Sequence, residues 1–108
     1  IHSVALIAEQ IDIPSEELNP CAEEILSHLK SGAVALGVNI GERCQIAIAV
    51  SDDLVKKNVR AEALIKEIAP LIQGGGGGKA HLAQAGGKKG SGLGEALSKI
   101  RLIVEGFS

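Results

Sequence analysis

The sequence predicts a small layered α/β domain. It should hold a mixed or antiparallel sheet of three or more strands packed against helices, with a glycine-rich loop before the last helix. Three observations predict this. Aliphatic runs of strand length alternate with segments whose apolar residues recur every three or four positions. The large apolar residues are nearly all Val, Ile and Leu; Phe107 is the sole aromatic residue among 108, and Trp, Tyr and Met are missing. Glycine is concentrated in one stretch, "QGGGGGKAHLAQAGGKKGSG", from Gln73 to Gly92. One domain spanning 1–108 is expected, because the length suits one and residues 3–106 run on without a composition break.

The elements follow in order. "SVALIAEQI" predicts a strand over about residues 3–11, closed by Asp12 and Pro14. "NPCAEEILSHLKSG" predicts a helix, with Asn19 as N-cap, Pro20 at the first helical position and Gly32 as the stop. Glu23 and Glu24 suit its positive end and Lys30 its negative end. Ala22, Ile25, Leu26 and Leu29 form its apolar stripe. "AVALGVNI" and "CQIAIAV" predict two strands joined at Gly41-Glu42 as a hairpin. Gly37, inside the first of them, calls for a bulge or a close neighbour. "VRAEALIKEIAPLIQG" predicts a helix burying Ala61, Leu64, Ile65, Ile68 and Leu71 or Ile72, with Pro70 kinking or ending it. The last helix starts near Leu93, with Ser91 as a candidate cap. Leu97, Ile100, Val104 and Phe107 share one of its faces.

Charge narrows the partners. Net charge is −2, but residues 1–70 carry eleven acids and six bases, and residues 71–108 two acids and five bases. The first 28 residues hold no Lys or Arg. An anionic partner is therefore expected at the C-terminal third. Without aromatic platforms, stacking of single-stranded bases is not the expected mode. Cys21 and Cys44 are too few for a disulfide framework and lack metal-ligand spacing, so they read as buried free thiols. No signal peptide or membrane span is read, and the expected compartment is the cytoplasm. The start at Ile1 suggests a piece of a longer protein.

Five consecutive glycines, Gly74, Gly75, Gly76, Gly77 and Gly78, are costly to order. Two readings stand: a loose connector, or a loop pinned by Leu82, Ala83 and Ala85. A pinned loop would offer unobstructed backbone amides to an anion, with Lys79, Lys88, Lys89 and Arg101 adding positive charge. His81 and Gln84 would support that loop or touch a bound phosphate. The order "GGGGGKA" fails the ATPase phosphate-loop pattern, because Ala80 stands where the hydroxyl residue belongs. A dinucleotide fingerprint would have to follow a strand, and this tract follows a helix. Ser51-Asp52-Asp53 reads as a turn or helix cap rather than a magnesium site. His28 sits at a helix edge, and His2 is terminal. No nucleophile, base and orienting group come together, so the chain alone is not expected to be catalytic.

"AVSDDLVKKNVRAEALIKEIAPLIQGGGGGKAHLAQAGG" resembles the C-terminal domain of bacterial alanyl-tRNA synthetases, a domain also found beside DHH phosphoesterase domains. The resemblance covers roughly residues 33–106. Its most specific part joins the glycine run to Ala83-Gln84-Ala85-Gly86-Gly87. Lys79 matches the basic position of that motif, Ala80 replaces its usual proline, and His81 stands at a usually acidic or polar position. The resemblance implies a non-catalytic domain that docks the outer corner of tRNA(Ala) through shape and phosphate contacts. It also implies neighbouring domains of the same synthetase and a homodimer in some members. For the complete enzyme it implies ATP, magnesium and zinc, aminoacylation with alanine, and hydrolysis of Ser- and Gly-tRNA(Ala). Two alternatives stand beside it: a substrate-binding accessory domain of a DHH-type phosphoesterase, and a dimerisation module built on the last helix.

Overall fold

The computed structural model describes residues 5–29, 31–57 and 59–105. Five strands form one mixed sheet: β1 (Ala5–Gln10), β2 (Gly32–Ile40), β3 (Arg43–Val50), β4 (Gly74–Gly78) and β5 (Leu82–Gly87). Their order across the sheet is β1-β2-β3-β5-β4. β1 runs parallel to β2, and every other pairing is antiparallel. The helices are α1 (Leu18–Ser27), α2 (Asp52–Lys56), α3 (Ala61–Ile68) and α4 (Leu93–Glu105). The expected class holds, with the glycine-rich turn Gly90–Gly92 leading into the final helix.

The aliphatic runs explain the layering. Gly32 to Val38 are all buried in β2, as are Ile46 to Val50 in β3. Strands apolar on both faces must be covered on both faces. On one side α1 sets Leu18 and Ala22 over Val34, Leu36, Val38, Ala47 and Ala49. On the other, Leu64, Ile65 and Ile68 of α3 and Ala96, Leu97 and Ile100 of α4 cover Ala35, Ile46, Ile48, Ala83 and Ala85. Gly37 has the close neighbour its position called for: a Cβ there would lie 2.5 Å from Cδ1 of Leu93 at the start of α4.

Several local expectations are corrected. A 3-10 turn, Ser15–Glu17, runs straight into α1, so Glu17 is the boundary residue and Asn19 does not cap the helix. Pro20 therefore falls at the third helical position, where its missing N–H is still among the unbonded ones of a first turn. The helix ends at Ser27, and Gly32 opens β2 instead of stopping it. Ser91 lies within the 3-10 turn before α4 and is not its cap. Pro70 ends α3 as expected, turning the chain into a 3-10 segment over Ala69–Ile72. Phe107 and Lys30 lie outside the described residues, as does His2. The largest difference is the glycine run. The sequence places it inside a loop, whereas it forms β4, hydrogen-bonded along β5 with Gly74 opposite Gly87 and Gly78 opposite Ala83.

Candidate nucleic-acid interface

β4 is an edge strand without a single side-chain heavy atom, and all five residues are exposed. It exists because β5 holds it. Ala83 and Ala85 of β5 are buried against the α3 side and fix that strand's facing. Backbone pairing then fixes β4. The approach is close: a Cβ at Gly74, Gly76 or Gly78 would collide with the backbone of β5, while one at Gly75 or Gly77 would meet nothing within 4 Å. The fold thus requires glycine at alternate positions only. An extended strand turns successive amides to opposite sides, so these glycines do not converge on one anion as a curled loop would.

The lysines sit at the ends of this hairpin. Lys79 follows β4, its amide donating to the Leu82 carbonyl at 2.8 Å across the turn. Lys88 and Lys89 follow β5, and Lys89 N–H donates to the Ile72 carbonyl at 2.9 Å. All three side chains are exposed. His81 and Gln84 are exposed too, and share a small concavity with Lys79, Gly77 and Gly78 near one end. Arg101 is not brought to this group. Its guanidinium donates to the Ala8 carbonyl at 3.1 Å on β1, the edge opposite β4.

The face of the sheet on the α1 side is only partly covered. α1 lies over β2 and β3 and barely reaches β5. Beyond it, Gln45, Gln84, Gly75, Gly77 and Gly86 line an open trough of about 250 Å³. A second concavity of about 400 Å³ continues toward the β2–β3 turn, where Ile40, Arg43, Gln73 and Lys88 gather. Sequence reasoning missed Arg43, Gln45 and Asn19 as site residues. Gln45 had a readable signal, as the one amide in the run "CQIAIAV". The Asn19 side-chain oxygen is buried without a hydrogen-bond partner beside Gly77 and Gly78.

Ser51 is the residue before the first turn of α2, but no side chain there makes a capping bond to the helix. The Ser51 hydroxyl donates to Asp53 Oδ1 at 2.6 Å, while Ser31 donates to Oδ2. The hydroxyls of Ser31 and Ser51 hold the Asp53 carboxyl below its ordinary value. Cys44 is a buried free thiol, pushed above its ordinary value by burial, and Cys21 is a half-buried one. Among the described residues no group of three or more His, Cys, Asp or Glu is placed to hold a metal ion. No described helix is long and apolar enough to cross a membrane.

A family model described as the DHHA1 domain matches residues 3–106. The chain belongs to the DHHA1 family. Within that family it aligns with the C-Ala domain of the Aquifex aeolicus alanyl-tRNA synthetase, at 31% identity and a TM-score of 0.85. That match covers 93% of this chain and 90% of the other. The DHHA1 chain is also similar to the alanine–tRNA ligases of Lactiplantibacillus plantarum (45% identical over 98 residues) and Natranaerobius thermophilus (37% over 105). These matches take in 90% and 96% of the chain but only 11% and 12% of the two ligases. The DHHA1 chain thus corresponds to one small domain of a much larger protein. A solved DHH-domain structure, described as a member of a family of ribosomal proteins, shares the fold at 18% identity and a TM-score of 0.55. That likeness covers 82% of this chain and 22% of the other.

Proposed function

We propose that this chain is the tRNA-docking C-terminal domain of an alanyl-tRNA synthetase, itself without a catalytic centre. The observation that carries the reading is the glycine hairpin, an edge free of side chains with Lys79 at one end and Lys88 and Lys89 at the other. Glycine lets a sugar-phosphate backbone approach the main chain, and the lysines supply the attraction. Such contacts recognise the outline of a folded RNA rather than its base sequence. The likeness to the C-Ala domain and to two alanine–tRNA ligases supports the synthetase over the phosphoesterase setting.

In this reading the ligand is the outer corner of tRNA(Ala), met mainly through phosphates. The rest of the parent enzyme would attach alanine with ATP and clear Ser- and Gly-tRNA(Ala). Covalent attachment to those domains raises the local concentration, so a weak docking surface suffices. Lys79, Lys88, Lys89, His81, Gln84 and Gly74 to Gly78 form the proposed surface, and Arg101, placed at the far edge, does not. The test is titration of the chain with tRNA(Ala) transcript beside an acceptor-stem minihelix lacking the corner, at two salt concentrations. Preference for the whole tRNA, lost as salt rises, is the expected result. Equal binding to both RNAs, indifferent to salt, would contradict it.

A further inference from the structure

Gln73 is the only residue other than glycine with a positive φ among the described residues, at 51°. It closes the 3-10 segment that follows α3 and directly precedes β4. The left-handed region is costly for a residue with a Cβ and open to glycine. Five glycines follow at once, yet position 73 keeps a long amide side chain. Backbone strain retained where a less strained residue would fit points to a use for the side chain. Gln73 is exposed and lines the concavity of about 400 Å³ at the end of the hairpin.

The rest of that concavity has a consistent chemistry. Arg43 and Lys88 are both exposed, and neither has an ion-pair partner among the described residues. Ile40 is one of two large apolar side chains left open among those residues, 47% exposed, and it sits beside them. Gln45 contributes a second amide. Gly86 and Gly87 add peptide backbone to the lining. Two cations, an exposed apolar side chain and two amides in a space of this size match phosphate, base face and base edge.

We propose that this cleft receives one unstacked nucleotide of the bound RNA. Its phosphate lies toward Arg43 and Lys88, its base against Ile40, and its base edge toward Gln45 and Gln73. The proposal rests on the RNA-docking reading and adds to it a contact with a base, which the hairpin lysines alone do not provide. The RNA would therefore be held by shape along the glycines and by one base at the end of them.

Gln73→Gly and Ile40→Ser separate this role from a structural one. Each variant is compared with the wild-type chain for thermal midpoint and for affinity toward three probes. The probes are tRNA(Ala) transcript, a blunt fully paired RNA duplex, and AMP. Gln73→Gly relieves the left-handed conformation, so its Tm should hold or rise. Both variants should lose about tenfold in tRNA affinity and keep wild-type affinity for the duplex, whose bases are all stacked. AMP should shift the Gln45 and Gln73 side-chain amide resonances only at millimolar concentration. Unchanged tRNA binding by both variants overturns the nucleotide cleft and leaves the docking reading intact. A falling Tm with parallel losses on tRNA and duplex makes Gln73 structural and overturns it as well. AMP bound more tightly than tRNA makes this a mononucleotide site and overturns it. Wild-type chain that binds neither RNA overturns the docking reading together with this one.

Discussion

A methyl group at Gly76 would run into the carbonyl oxygen of Gln84 and lie 2.6 Å from the Cα of Ala85; at Gly77 it would meet nothing within 4 Å. Adjacent residues of the same type thus have different surroundings, one pressed against the neighbouring strand and one open to solvent. Gly76→Ala should cost roughly 1–3 kcal/mol, the range for forcing atoms into occupied space. Gly77→Ala should stay within about 0.5 kcal/mol of wild type, as an unobstructed surface change does. Urea unfolding of the two variants checks both. Weaker tRNA binding by Gly77→Ala, with its stability intact, would show that the ligand needs the space. Asp53 supplies a second residue-level expectation. Its folded-state pKa lies below the ordinary value because Ser31 and Ser51 donate to the carboxylate. Stability from these bonds is fully present above the unfolded pKa, about 3.9. It is lost as pH falls from there through the lower folded value. Asp53→Asn should remove that part of the acid slope while changing little at pH 7 beyond the two bonds themselves. Thermal midpoints measured from pH 2 to 7 would show a wild-type slope unchanged in the variant if this is mistaken.

Among the elements, the hairpin of β4 and β5 carries the electrostatic prediction. Lys79, Lys88 and Lys89 are exposed at its two ends and form no ion pair among the described residues. Replacing all three by Ala should leave the Tm near wild type and sharply weaken tRNA binding. Three phosphate contacts predict that wild-type affinity falls roughly twenty- to fortyfold between 50 and 200 mM salt. The triple variant should lose most of that dependence. A variant that keeps the wild-type salt slope would place the phosphates elsewhere. How legible the elements were follows from what side chains report. β2 and β3 announce themselves as unbroken aliphatic runs, α3 and α4 through helical spacing of their apolar residues, and Ala83 and Ala85 alternate as β5 requires. β4 was not legible, because glycine has no side chain to show a period of two and a weak preference for strands. It becomes a strand only because β5 lies beside it. Arg101 joins the sequence-derived site for a similar reason: its distance from β4 depends on strand order, which no local pattern contains. The cleft at Gln73 depends on both a backbone angle and the meeting of β2, β3 and β5 ends, so only Gln45 could have drawn notice beforehand.

At the scale of the molecule, the three layers give the sheet two unequal faces. α3 and α4 cover one across its width, while α1 by itself leaves the β4 and β5 side of the other open. The surface charge follows the same division. The exposed acids Glu16, Glu17, Glu23 and Glu24 cluster on and just before α1, and the hairpin lysines lie beyond it. An incoming polyanion is therefore steered toward the open part and away from α1. The glycine edge carries one more consequence. β4 has no side chain to bury and bears the largest backbone ordering cost of any residue type, so its pairing is expected to be released more easily than that of the aliphatic strands. In the proposed docking role such a rim would bind and let go on the same weak fastening. Its merit would lie in turnover: the faster the rim loosens, the sooner a cargo that has been served can make way for the next.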